Sequence, residues 1–393
     1  MKIQLWSYNY DPEPTGIAPL STVVARQLRA RGHEVTVVAA HPHYPEPRWG
    51  VRVRPYREYR DGIEVLRLPI WPGRENAIQR IRQELSFVSA LSGVAPLLER
   101  PDIVLAVSPS FPGLAPVMAF SKLRRVPWVL WLQDILPDGA MASGVMKDGV
   151  LINAARRFER LAYRSARKVI VISDSFRENL LQKNVPDEKI VRVYNPASMP
   201  ILEKERDPDR IDERAVLNMG NIGHTQNLAA VAAAFEAEPA LTEMGATFTM
   251  AGDGVAADDV RAAISTDRVR ITGIVDTKEV LPKMLESAAL GLVSQSYEGI
   301  DFNVPSKLAN FMGRGLPVIA AVRPESEVAR LVERSGCGWV TDSPERAAKV
   351  TAEALADPEE RRKRGAAGLE FARKYLAPER VAEQIEEVLG SCA

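Results

Sequence analysis

The chain has 393 residues, enough for two or three domains, and its 51 Lys and Arg cancel its 51 Asp and Glu. A hydrophobic fraction of 46% and a charged fraction of 26% are those of an ordinary soluble enzyme with apolar mass for two cores. Two cysteines, Cys337 and Cys392, exclude a disulfide framework and a Cys-rich zinc site, no window reaches the roughly 20 apolar residues of a spanning helix, and zero net charge disfavours a nucleic-acid partner.

KIQLW (Lys2–Trp6) reads directly as a strand, which predicts no signal peptide and a reducing, cytoplasmic setting. A helical pattern follows at Pro19–Arg31, stopped by Gly32, then apolar strand-like runs at Glu34–Ala40, Asp102–Ser108, Trp128–Gln133 and Lys168–Ser173, with a helix at Leu151–Arg164. Such near-continuous apolar runs suit strands buried on both faces. Pro196–Arg214 is rich in proline and charge and lacks periodicity, so 198–214 reads as a linker. Strand-like runs then resume at Val216–Gly220, Thr247–Gly252, Val269–Gly273, Leu290–Gln295, Pro317–Ala321 and Gly338–Thr341. The alternation predicts an α/β chain of two facing, Rossmann-like doubly wound domains, 1–197 and 215–375. Charge divides with them: Met1–Asn195 carries 28 basic and 19 acidic residues (+9), and Pro196–Ala393 carries 23 and 32 (−9). Opposite signs suggest domains with different partners.

In open parallel sheets, ligands bind beyond the carboxyl ends of the strands. Glycine stands at such points at Gly16, Gly220, Gly252 and Gly273. GDGVAADD (Gly252–Asp259) is only a near match to the dinucleotide fingerprint, with no acid placed for a ribose. In VPSKLANFMGRG (Val304–Gly315), Ser306 after Pro305 is a plausible N-cap, and Leu308, Phe311 and Met312 form the buried stripe. That leaves Lys307, Asn310 and Arg314 on another face, where Lys307 with the first-turn amides suits a diphosphate and Asn310 suits an attached ribose. Asp207-Pro-Asp209 lies in the linker, and His41 and His43 lack a third ligand, so neither reads as a metal site.

NYDPEPTGIAPLSTVVARQLRARGHEVTVVAAHPHYP (Asn9–Pro45), LNMGNIGHTQNL (Leu217–Leu228), MAGDG (Met250–Gly254) and VPSKLANFMGRGLPVIA (Val304–Ala320) together resemble glycosyltransferase family 4, within it the bacterial subgroup for colanic acid, capsule and O-antigen units. The resemblance spans the chain and implies the GT-B fold: a first domain for the acceptor, a second for the nucleotide-sugar, and a final helix (Pro378–Leu389) crossing back, so that 376–393 joins the first domain. It implies a hexosyltransferase that works without metal or cofactor and with retention of anomeric configuration, from a GDP- or UDP-linked donor to a polyprenyl-diphosphate-linked or other glycan acceptor. By position, Gly16 would approach the donor phosphates, and Asn221 and Gln226 stand where many members place an arginine and a lysine on the diphosphate. Gly273 and Ile274 would lie beside the base. Asn310 replaces the ribose-binding glutamate, and Glu298 resembles its partner glutamate, with eleven residues between the two where the family has seven. Gln133, before Asp134, replaces a histidine that contacts the sugar's C6 hydroxyl, which suits a 6-deoxyhexose such as fucose. With both cations lost, Lys307 is the expected charge stabiliser for the leaving diphosphate; the catalytic candidates are Lys307, Glu298 and Asp134, and the donor set adds Gly252 and Ser306.

RVRPYREYR (Arg52–Arg60) and the stretch Trp71–Arg100, with Ile78, Ile81, Leu85, Val88 and Leu91 beside Arg74, Arg80 and Arg82, predict a surface for anionic lipid, hence a peripheral place on the inner membrane face. Competing readings are a nucleotide-sugar 2-epimerase-like GT-B enzyme, a Rossmann oxidoreductase, and an inactive partner of a polysaccharide complex.

Overall fold

A computed structural model describes all residues except 15, 44–48, 72, 74–76, 109, 136–148 and 298–303. Internal contacts divide the chain into Met1–Pro196 with Pro378–Ala393, and Ala197–Ala377.

The first unit holds an eight-stranded sheet. Its strands are β1 (Lys2–Ser7), β2 (Glu34–Ala40), β3 (Tyr56–Arg60), β4 (Ile63–Leu68), β5 (Ile103–Val107), β6 (Trp128–Leu132), β7 (Lys168–Val171) and β8 (Ile190–Arg192). The order is β3-β4-β2-β1-β5-β6-β7-β8, and every pair is parallel except β3 with β4. The central strands β5 and β6 are buried along their whole length, as their unbroken apolar runs require. Three strands, β3, β4 and β8, have no counterpart in the sequence reading. The β3–β4 hairpin turns at Asp61-Gly62, both at positive φ, a pairing that favours a tight hairpin turn. Its outer strand YREYR alternates exposure instead of burying an apolar run, so hydrophobicity alone does not reveal it.

The returning helix Pro378–Gly390 buries Val381, Ile385, Val388 and Leu389 against Leu5, Val24 and Leu28. Glu386 then accepts from His33 Nε2 at 2.7 Å and pairs with Arg31, which pulls its carboxyl below the usual range against the opposing effect of burial.

The second unit holds β9 (Asp212–Met219), β10 (Thr247–Ala251), β11 (Val269–Ile271), β12 (Ala288–Ser294), β13 (Val318–Ala321) and β14 (Gly338–Thr341). Their order, β11-β10-β9-β12-β13-β14, is wholly parallel and is the doubly wound dinucleotide-fold order with its reversal between β9 and β12. The stretch expected as a free linker is part of this unit. Asp212–Arg214 already belong to β9, and the residues before it pack down: Leu202 N donates to Gly313 O, and Arg206 Nη2 donates to Leu285 O, Glu286 O and Ala288 O. The guanidinium thereby satisfies carbonyls that the end of helix Val280–Ser287 leaves without intrahelical partners. Charge in this segment serves anchoring as well as solvation.

Candidate active site

At the sheet reversal, the carboxyl ends of β9 and β10 come together through glycine. Gly220 adopts φ +94°, and a Cβ on Gly252 would overlap the Gly220 carbonyl oxygen, so neither place takes a side chain without rebuilding the loop. Gly254 is likewise pressed on the Ile222 carbonyl. The glycines of GDGVAADD thus let one strand-end loop lie on another; the helix that follows, Ala257–Ala263, is only seven residues long.

Helix Ser306–Gly313 leaves this rim after β12. Its cap is Pro305, with extended backbone, and Ser306 is the first helical residue, exposed and making no capping bond. Proline fixes its own φ but leaves ψ free to turn the chain into the helix, so the serine at 306 is displaced from the capping place. The face opposed to the apolar stripe of Leu308, Phe311 and Met312 is enclosed as well: Lys307 is 7% and Asn310 4% exposed. Asn310 does not open toward a ligand. Its Oδ1 accepts from the amides of Ser198 and Met199, each at 3.1 Å, and its amide shares two contacts with the Ser198 hydroxyl. A carboxamide supplies donor and acceptor together and suits this main-chain clip, so the ribose role expected for Asn310 is not the use the structure makes of it.

Lys307 and Gln226 are brought together. Lys307 Nζ donates to Gln226 Oε1 at 2.9 Å and to Asn218 Oδ1 at 3.4 Å. Burial lowers the ammonium from the ordinary lysine value of 10.5 to about 8, and no charged neighbour among the described residues acts on it. Gln226 sits in the turn His224–Gln226, which is held to the end of β12 by Ser294 Oγ donating to Gln226 O (2.6 Å) and Ser296 N donating to Thr225 O (2.6 Å). Its Nε2 donates to Asn221 O at 2.7 Å, while Asn221 is exposed on the outer lip of the loop. Gly273 and Ile274 follow β11, with Ile274 87% exposed. Asn218, wholly buried on β9, had no role in the sequence reading; an amide inside VLNMG is the one signal that marks it.

In the first unit, Gly16 lies in the loop after β1, with open space where a Cβ would lie. Gln133 follows β6 and is locked in a reciprocal amide pair with Asn195: Gln133 Nε2 donates to Asn195 Oδ1 (2.9 Å) and Asn195 Nδ2 to Gln133 Oε1 (2.8 Å). Asp134 is half-buried and its carboxyl is raised by desolvation. The histidines after β2 are structural. His43 packs with buried Glu13, whose Oε1 accepts from His43 N at 2.8 Å, and His41 Nδ1 lies 2.9 Å from the Tyr56 hydroxyl. Asp207 caps a short turn through Asp209 N. Glu298 lies outside the described residues.

Residues 15–196 match the model of the glycosyl transferase 4-like domain. The chain is 27% identical over 416 residues, 99% of its length and all of the relative's, to WcaI of Escherichia coli (strain K12), assigned as a colanic acid biosynthesis glycosyl transferase. Among solved structures it is similar to Anabaena Alr3699/HepE in complex with UDP and glucose (TM-score 0.69, 17% identity, both chains covered in full). It is similar also to sucrose-phosphate synthase from Thermosynechococcus elongatus (TM-score 0.71, 17% identity, covering 99% of this chain and 98% of that one). Residues 15–196 of the first unit are therefore similar to a glycosyl transferase 4-like domain, and the whole chain has the two-domain fold of the GT-B glycosyltransferases.

Proposed function

We propose that the protein transfers a sugar, with retention of configuration, from a nucleoside-diphosphate donor to a glycan acceptor on a lipid diphosphate, in the assembly of a surface polysaccharide. One observation carries this reading: at the sheet reversal of the second unit, a buried lysine is held by amides and by no carboxylate among the described residues. A cation so placed, with the first-turn amides of its own helix, suits the charge that grows on a departing diphosphate. The UDP held by the HepE structure and the colanic acid assignment of WcaI support the donor class and the polysaccharide context.

In this reaction the bond from the anomeric carbon to the diphosphate oxygen breaks as the bond to the acceptor oxygen forms. The departing phosphate oxygen takes the acceptor proton, so no side-chain base and no metal is required. Gln133 already has its amide engaged with Asn195, which supports a donor lacking a C6 hydroxyl, such as a 6-deoxyhexose. A donor screen checks this point: GDP-fucose outperforming a glucose nucleotide supports it, and the reverse order removes it.

A surface of the first unit supports the lipid part of this reading. On helix Ala77–Val94, Gln83, Phe87 and Leu91 turn inward, while Ile78, Ile81 and Leu85 are exposed; Val88 is half-buried, so the apolar stripe read from sequence divides between core and surface. Trp71 is also exposed, with Arg82 over its ring at 5.0 Å, and Arg52, Arg54 and Arg57 are exposed in and before β3. Apolar side chains set among arginines favour anionic lipid. No helix among the described residues is long and apolar enough to cross a membrane. Flotation with anionic vesicles that weakens as salt rises supports this contact, and absence of flotation at low salt rules it out.

The central test is a thermal-shift screen with GDP, UDP and dTDP. A nucleotide at 100 times its dissociation constant adds about 2.7 kcal/mol, so one of the three is expected to raise the melting temperature. No shift with any of them contradicts the donor reading.

A further inference from the structure

We infer that Asn218 and Gln226 are positioning residues that fix Lys307 between two amide oxygens and leave its positive charge for the ligand. The inference rests on the reading of Lys307 as the diphosphate's cationic partner and goes beyond it, by saying what makes that lysine available.

The polarity of both amides follows from their other ends. Asn218 Nδ2 donates to the Leu292 carbonyl at 2.8 Å, and Gln226 Nε2 donates to the Asn221 carbonyl at 2.7 Å. A main-chain carbonyl can only accept, so each amide must turn its NH2 group to it, and each amide oxygen is left facing Lys307. The ammonium, which can only donate, meets two oxygens on different elements: one on β9, one on the turn tied to the end of β12.

Asn218 has a second consequence. Its bond to Leu292 joins β9 to β12, the two strands between which the sheet order reverses and beside which ligands of such folds lie. A buried amide in an otherwise apolar strand costs free energy unless both ends are paired, and here both are.

Neutral holders matter. A carboxylate at either place would pair with the ammonium, cancel its charge and repel a phosphate. Amides orient the group through hydrogen bonds and leave the net charge at +1 when it is protonated. Their effect should therefore be specific to ligands that carry a second phosphate within the lysine's reach.

The experiment compares calorimetric affinities for the nucleoside diphosphate that binds best among UDP, GDP and dTDP with those for its monophosphate. The proteins are the wild type, Asn218→Ala, Asn218→Asp, Gln226→Glu and Lys307→Met. We expect Asn218→Asp and Gln226→Glu to weaken the diphosphate by about tenfold or more, and Asn218→Ala by about threefold to tenfold. The monophosphate should change by less than about twofold in each. A packing role alone would weaken both ligands alike. Gln226 is only half-buried, so Gln226→Glu keeps the test open if the Asn218 variants fail to fold. Equal loss of both ligands, or diphosphate affinity within about twofold of wild type in the folded variants while Lys307→Met loses it, overturns this inference and leaves the donor reading standing. Wild-type affinity in Lys307→Met overturns the donor reading itself.

Discussion

Lys183 in the first unit and Lys307 in the second both take an ammonium largely out of water, and the chain meets the two charges differently. Lys183 Nζ lies 2.9 Å from the Glu159 carboxylate, which is itself 1% exposed and also accepts from the Tyr163 hydroxyl at 2.8 Å. That pair lies between helices Val150–Ser165 and Asp174–Gln182 and the residues next to them. Lys307 has amides in place of the carboxylate, and burial shifts it where no opposite charge restores it. A lysine paired with a buried carboxylate helps hold a fold together; a lysine kept short of a counter-charge is stored for a partner that brings one. The same division marks the loops after the strands. In the first unit Glu13 meets His43, and Gln133 pairs with Asn195, whereas the second unit's rim carries bare glycine backbone at Gly220, Gly252 and Gly254.

Substitution at the two lysines separates the roles most sharply. Lys307→Met should reduce turnover by about 100- to 1,000-fold in a donor-hydrolysis or transfer assay. It should leave the melting temperature within about 3 °C of wild type, because an apolar chain of similar length replaces a desolvated charge. Lys183→Met should do the reverse. It strands the Glu159 carboxylate and is expected to cost about 3 kcal/mol in urea unfolding, with the affinity of the folded fraction for nucleotide unchanged. Equal effects of the two substitutions on stability would erase the distinction.

Proton linkage offers a finer contrast. Burial holds Lys307 at about 8, below the 10.5 of an ordinary lysine. Between those values the unfolded chain binds more protons than the folded one, so stability of the ligand-free protein should rise with pH across that window. The rise should vanish in Lys307→Met, and chemical denaturation at pH 8 and pH 10 checks it. Smaller still is the effect of Glu386→Gln. It weakens the tie of the returning helix to Arg31 and His33 and should cost about 1 kcal/mol, measurable by thermal unfolding with no change in nucleotide affinity.

Much of the fold was legible because the strands are buried on both faces and spell themselves as apolar runs, as IVLAV and WVLWL do. The β3–β4 hairpin was not, since its outer strand is made of charged and aromatic residues; Asp61-Gly62 was the available signal. At the site, lysine after a proline was readable as a charge near a helix start. Its surroundings were not. The Asn218 amide lies 89 positions from Lys307, and Asn310 meets Ser198 across 112, separations that no local pattern encodes. Residue type alone also misled at Asn310, whose carboxamide suits a ribose and a main-chain clip equally well, and only packing decides between them. The linker failed for a related reason: arginine in a proline-rich stretch reads as solvated, yet Arg206 spends its guanidinium on three carbonyls.

The most direct measurement of the central claim is calorimetric titration of UDP, GDP and dTDP into the wild type and Lys307→Met, at pH 7 and at pH 9.5. One diphosphate should bind the wild type, its affinity should fall between the two pH values as Lys307 loses its proton, and Lys307→Met should bind it weakly at both. Equal binding by wild type and Lys307→Met, or a wild-type affinity indifferent to pH, would contradict that claim.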